Sequence, residues 1–168
     1  MFICGTSVRS LPASGASNMQ ALREDIERIV RERLAAIHTM APGSIGDQME
    51  YELVSCDPAS GVFTMRCRTA PWMRNIPGTL HGGICATVMD QAMGFIAYCV
   101  KPGDGIAPTV ELNVHYHRAL IPGEDVLVRV EVMSVTKSLM HLSSQAWQAS
   151  APDRLCLSAS ALNFYKPL

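Results

Sequence analysis

The residues best suited to chemistry lie in one stretch, Asn75-Ile-Pro-Gly-Thr-Leu-His81-Gly82-Gly83, with Asp90 seven residues after the second glycine. Residues 75–83 oppose regular structure, because Asn75, Pro77, Gly78, Gly82 and Gly83 all favour turns. From Ile84 to about Val100 the chain has no proline and one glycine, so the spacing predicts a helix. That run is apolar on every side and is expected to be buried on every side. Asp90 stands in its middle, and an unpartnered buried carboxylate costs on the order of several kcal/mol. A carboxylate can activate water or attack a carbonyl carbon itself. Free N–H groups at a helix start can hold the oxyanion that attack creates. Glycine lets a substrate come close to that backbone, which suits Gly82 and Gly83.

Spacing sets a limit on how these groups cooperate. Gly82 and Asp90 are eight residues apart, about 12 Å along a helix at 1.5 Å per residue. One reacting carbonyl cannot touch both. Either they do not act together, or Asp90 acts with Gly82 of another subunit. Gly83, Ala86, Thr87, Gly94 and Ala97 share the side of Asp90 at helical spacing, and all are small. Such a stripe has room for a partner helix or for an acyl group.

The remaining elements must position this stretch. Residues 1–18 are rich in Ser, Gly and Ala without periodicity and are expected to be disordered, with order beginning near Met19. Residues 18–38 read as an amphipathic helix capped by Asn18, with Leu22, Ile26, Ile29, Val30, Arg33 and Ile37 at helical spacing. Alternation predicts strands at 47–56 and 61–69, joined by the Asp57-Pro-Ala-Ser-Gly61 turn. After the central helix, four more strands are predicted at 107–118, 125–136, 139–149 and 154–165. In the first of these, Val110, Leu112, Val114 and Tyr116 share one face, and Thr109, Glu111, Asn113, His115 and His117 the other. Six half-buried strands and one buried helix fit an antiparallel sheet curled around the helix, an α+β architecture in a single domain over 19–168.

Composition narrows the setting. The chain has 168 residues, 48% of them hydrophobic and 17% charged, with a net charge of −1 and no basic run. A nucleic-acid surface is therefore not expected. The six cysteines form no Cys-x-x-Cys pair and most lie in apolar segments, which points to a reducing, cytoplasmic location. The N-terminal apolar run, Met1 to Cys4, is too short for a signal peptide, and Asp90 and Gln91 argue against membrane insertion of the helix.

The element order, with Asn75…Gly78-Thr-Leu-His81-Gly82-Gly83, then Asp90, Thr109 and the Pro122-Gly123 turn, resembles the hotdog-fold thioesterases. Within them it looks most like the phenylacetate-degradation type of acyl-CoA thioesterase, over about residues 45–166. The resemblance implies an acyl- or aryl-CoA substrate cleaved to free acid and CoA, with no metal or other cofactor. It also implies a homodimer with sheets paired side by side, possibly a tetramer, and active sites at the dimer interface. By resemblance the Gly82 N–H is the oxyanion donor and Asp90 the general base or nucleophile. Asn75 and Thr109 hold the water or orient the thioester, and His81 fixes the loop rather than acting as a base. Gly83, Thr87 and Gly94 are candidates for substrate contact, and Arg118, Lys137 and Ser138 for the CoA phosphates.

Other readings have less support. A non-catalytic acyl-CoA-binding domain would not need a buried carboxylate. A hotdog hydratase or dehydratase would need a His and Asp in a different motif. No Gly-x-Ser-x-Gly elbow is present, which removes the α/β-hydrolases. His115 and His117 could pair on a metal, but no third ligand is evident and a surface role is expected.

Overall fold

The computed structural model describes residues 25–101, 103 and 105–168. The expected tail over 1–18, the Asn18 cap and the first turns of the amphipathic helix lie outside the described residues. Helix α1 (Ile26–Met40) buries Ile26 and Val30 and turns Arg28–Glu32 and Arg31–Glu27 pairs to the surface at i,i+4 spacing. A short helix α2 (Ile45–Gln48) follows, its Ser44 cap accepting from the Asp47 N–H. The strand expected from residue 47 therefore begins only at Glu52. The alternation of Met49 and Leu53 reflects burial of both side chains, but the cap and a positive φ of 43° at Glu50 turn the intervening chain away from extended geometry.

Six strands make one antiparallel sheet: β1 (Glu52–Asp57), β2 (Val62–Cys67), β4 (Thr109–Tyr116), β5 (Val126–Val135), β6 (Leu139–Gln148) and β7 (Leu157–Phe164). Their order across the sheet is β1-β2-β5-β6-β7-β4, which leaves β1 and β4 at the edges. Two residues of β3 (Gly105–Ile106) pair with β8 (Lys166–Pro167), a ribbon too short to show as alternation. Gly105 is needed there, since a Cβ would come within 2.6 Å of the Tyr165 ring.

The sheet curls around helix α3 (Gly82–Val100), as the sequence pattern requires. Alternate residues of the strands, among them Phe63, Met65, Val126, Val128, Val130, Met140, Leu142 and Ala146, pack on Val88, Met89, Ala92, Met93 and Ile96 of the helix. Burial of α3 on every side does not hold. Cys85, Val88, Met89, Ala92, Met93, Ile96, Cys99 and Val100 are buried, but Gly82 and Gly83 are exposed and Thr87, Asp90, Gln91 and Gly94 only partly covered. A sheet curled from one side cannot enclose the full circumference of a helix. Helix α1 covers one flank, where Arg33 stacks 4.0 Å above the Tyr98 ring and donates to the Tyr98 carbonyl at 2.7 Å. Of the small-residue stripe, Gly83 is exposed and Ala86, Thr87 and Gly94 are partly covered, while Ala97 is buried.

Candidate active site

The loop before α3 is held by its own polar groups. The Asn75 side chain accepts from the Thr79 N–H at 2.9 Å and donates to the Thr79 hydroxyl at 2.8 Å, and Gly78 takes a φ of 93° to close the turn. Leu80 N–H donates to Leu120 C=O, and His81 N–H to Met73 C=O, which fixes the point where the helix starts. His81 is the N-cap, and its Nδ1 accepts from the Gly83 N–H at 2.9 Å. An imidazole nitrogen used as an acceptor carries no proton, so His81 acts here as a cap. It also explains Gly83, where a Cβ would sit 3.2 Å from that nitrogen.

The two glycine N–H groups are therefore not equivalent. Gly83 N–H is taken by His81, while Gly82 N–H is donated to no acceptor among the described residues. Tyr116, at the end of β4, donates its hydroxyl to the Gly82 carbonyl at 2.9 Å and lays its ring against the same residue. Gly82 lines a cleft of about 330 Å³ together with Asn75, Thr79, Tyr116, His117 and Arg118. Cys85 also lines it, but burial pushes its thiol up to about 11, which keeps it from acting as a thiolate. Arg118 spends one N–H on the Leu155 carbonyl and retains others for an anion.

Asp90 lies two turns further along α3. Its Oδ1 accepts from the Thr109 hydroxyl at 2.7 Å, and Thr109 Oγ1 accepts in turn from the Asn163 amide at 3.1 Å. Oδ2 accepts no hydrogen bond among the described residues. Strict alternation had placed Thr109 on the outward face with Glu111 and Asn113. Instead the ladder slips between Thr109 and Glu111, leaving Val110 as a bulge. The extra residue turns Thr109 inward with Leu112, Val114 and Tyr116, opposite the inward residues Asn163, Ala161, Ala159 and Leu157 of β7. Nearby, Tyr51 donates to the Val88 carbonyl at 2.7 Å. Burial chiefly, then Cys67 and to a smaller degree the Asp90 charge, pushes that phenol well above its usual range and keeps it protonated.

The other expected contacts fall as follows. Gly94, one turn after Asp90, faces the same pair: a Cβ there would lie 3.9 Å from both Thr109 Oγ1 and Asn163 Nδ2. Thr87 spends its hydroxyl on the Gly83 carbonyl at 2.9 Å. Lys137 and Ser138 sit in the β5–β6 turn near the other end of α3, where Lys101 donates to the Lys137 carbonyl and Tyr165 N–H to that of Ser138. The 19-residue helix is about 28 Å long, so within one chain these two are remote from Arg118. His117 pairs with the Ser158 hydroxyl at 2.8 Å, and no group of three His, Cys, Asp or Glu side chains is placed for a metal among the described residues.

Asn163, Tyr116 and the Val110 bulge were missed at the level of sequence. Asn163 had a signal: it is the one polar residue in the series Leu157, Ala159, Ala161, Asn163. A single bulge has no comparable mark, because Val110 suits a regular strand equally well.

Comparison with known proteins bears on the fold and the family. The family model described as "Thioesterase superfamily" matches residues 77–155, which takes in Gly82, Asp90, Thr109 and Arg118. Acyl-coenzyme A thioesterase 13 of Homo sapiens is 31% identical over 93 residues, 54% of this chain and 63% of that protein. The chain thus spans about 63% of the length of the curated relatives it matches. The crystal structure of thioesterase superfamily member 2 from Mus musculus superposes with a TM-score of 0.65 at 19% identity, covering 82% of this chain and 95% of that one. A hypothetical thioesterase from Streptococcus pneumoniae, solved with coenzyme A, gives 0.59 at 16% identity over 70% and 89%. The architecture is the hotdog fold. Over residues 77–155 the chain is similar to the thioesterase superfamily.

Proposed function

We propose that this protein hydrolyses an acyl- or aryl-CoA thioester to the free acid and CoA, as a thioesterase of the phenylacetate-degradation type acting in the cytoplasm. The observation that carries the reading is the pairing of one free N–H, Gly82, with one half-open carboxylate, Asp90, on the uncovered side of the same helix. The N–H stabilises the oxyanion on the thioester carbonyl. The carboxylate either takes a proton from the attacking water or attacks the carbonyl carbon itself. The C–S bond then breaks, and CoA leaves as thiolate and is protonated. Where water attacked, the free acid is released at once. Where Asp90 attacked, water then hydrolyses the acyl-aspartyl anhydride to release the acid and restore the carboxylate. Arg118, at the mouth of the Gly82 cleft, is suited to a CoA phosphate.

Eight residues of helix, about 12 Å, separate the two groups in one chain. The site is therefore proposed to be shared, with Gly82 of one protomer facing the carboxylate of a second copy. Two antiparallel copies of α3 crossing near Ala86, the midpoint of 82 and 90, bring the groups together twice, and the small residues Gly83, Ala86 and Thr87 permit close approach. The exposed edge of β4 offers backbone for pairing the two sheets.

The experiment is complementation. Gly82→Pro removes the N–H and adds a ring at the same position: proline is accepted at the first helical position, and His81 already has the extended geometry (φ −61°, ψ 136°) that precedes proline. Asp90→Asn removes the carboxylate. Each variant alone is expected to be inactive in thiol release from a panel of aryl- and alkyl-CoA esters. Remixed, they should recover about a quarter of wild-type activity, because half of the dimers are mixed and each carries one intact site. Two inactive variants that stay inactive as mixed dimers would place both groups in one chain's site and refute the shared arrangement.

A further inference from the structure

Asn163 stands where the inward pattern of β7 calls for an apolar residue. It is fully buried, donates Nδ2 to the Ala107 carbonyl at 3.0 Å and to Thr109 Oγ1 at 3.1 Å, and leaves its own Oδ1 buried without a hydrogen-bond partner among the described residues. Leaving an acceptor buried and unpaired is unfavourable, and the alanines at 159 and 161 show that the position could be filled without it. The amide orientation is forced. Ala107 presents a carbonyl, which only accepts, so the atom facing it is the amide nitrogen. The second N–H then meets Thr109 Oγ1, which must accept. A threonine hydroxyl has a single proton, and with a donor on one side that proton is directed to Asp90 Oδ1, 2.7 Å away.

We propose that Asn163 is a positioning residue. It locks the Thr109 hydroxyl as a donor to Asp90, which ties Oδ1 and leaves Oδ2 as the oxygen that meets the water or the thioester carbon. The inference rests on the reading of Asp90 as the reacting carboxylate. Its physical basis is the removal of rotational choice: without Asn163 the hydroxyl is free to turn, and the carboxylate loses a charge-assisted hydrogen bond and its fixed orientation. Gly94 lies beside this pair, where a Cβ would make ordinary contact at 3.9 Å with both Thr109 Oγ1 and Asn163 Nδ2.

The test is a double-mutant cycle with Asn163→Leu and Thr109→Val, read by thiol release and by proton NMR, with Asn163→Ala as the second variant should leucine not fold. Asn163→Leu is expected to lower kcat about tenfold, the loss of one hydrogen bond to a charged group. KM should stay within about twofold, and the added loss in the Thr109→Val background should be under about twofold. The Thr109 hydroxyl proton is expected to be protected from exchange in the wild type and to lose that protection in Asn163→Leu. An equal loss of kcat in both backgrounds, or a hydroxyl proton that stays protected in the variant, would overturn the proposal. Wild-type turnover by Asp90→Asn would instead overturn the reading of Asp90, while the hydroxyl signal would still report on the lock.

Discussion

The Thr109 hydroxyl reaches Asp90 Oδ1 at 2.7 Å because the strand carrying it bulges at Val110. A regular ladder would turn Thr109 to the outer face of the sheet with Glu111, and the carboxylate would lose its donor. Two substitutions separate the hydroxyl from the bulge. Thr109→Ser keeps the donor and should retain turnover within about threefold, whereas Thr109→Val should lose about tenfold or more in kcat. Steady-state thiol release on the folded variants distinguishes them, and equal losses would mean the threonine methyl matters rather than the hydroxyl.

Deletion of Val110 tests the bulge itself. The ladder from Glu111 onward keeps its register with β7, so the fold should survive with its midpoint temperature lowered by a few degrees at most. Thr109 would then take the regular place before Glu111, still facing inward opposite Asn163, and turnover should stay within about threefold of wild type. A loss as deep as that of Thr109→Val would show that the bulge itself, and not only the inward face of Thr109, positions the hydroxyl.

His81 caps α3 through Nδ1, and that contact is a stability term. His81→Ala should cost about 1 kcal/mol in denaturant unfolding, the usual worth of an N-cap. Because the Gly82 N–H and Asp90 are untouched, more than about a tenth of wild-type turnover should remain. A fall as deep as that of Asp90→Asn would put the imidazole in the chemistry.

Gly94 is the small residue nearest the Asp90–Thr109–Asn163 chain. A Cβ meets its neighbours only at 3.9 Å, so Gly94→Ala should fold, and in mid-helix it should gain about 0.5–1 kcal/mol. A leucine there would extend along the small-residue stripe. Gly94→Leu is expected to shift acyl preference toward shorter groups in kcat/KM across a CoA-ester series. An unchanged ranking would mean the acyl group lies elsewhere.

Gly105 is held to glycine by Tyr165, whose ring would stand 2.6 Å from a Cβ. The ring is largely buried and cannot move aside freely. Gly105→Ala should therefore destabilise by about 1–3 kcal/mol, the range for overpacking, as read by thermal unfolding. An unchanged midpoint would show that the β3–β8 ribbon is free to shift.

Much of this protein follows from pattern along the chain. Helix α3, the strands β2 and β5–β7, and the stretch from Asn75 to Asp90 were legible because each is local: periodicity of 3.6 or 2, turn residues, and a short motif. The resemblance carried by His81-Gly82-Gly83 and Asp90 pointed to the hotdog thioesterases, and the fold and the family comparison agree. The start of β1 was less legible, because the Ser44 cap and the buried Met49 mimic the alternation of a strand.

What the tertiary structure decided are relations between residues far apart in the chain. It assigned the Gly83 N–H to His81 and left that of Gly82 open. It turned Thr109 inward through a bulge that no residue type marks, and set Asn163 behind it across the β4–β7 pair. It uncovered one side of a helix that is apolar all round. Sequence periodicity records which residues can be buried, but which side of a helix the sheet covers, and which donor meets which acceptor, depend on how strands of distant residues come into register. That register is settled by packing the whole sheet against α3, and only there does it have a physical cause.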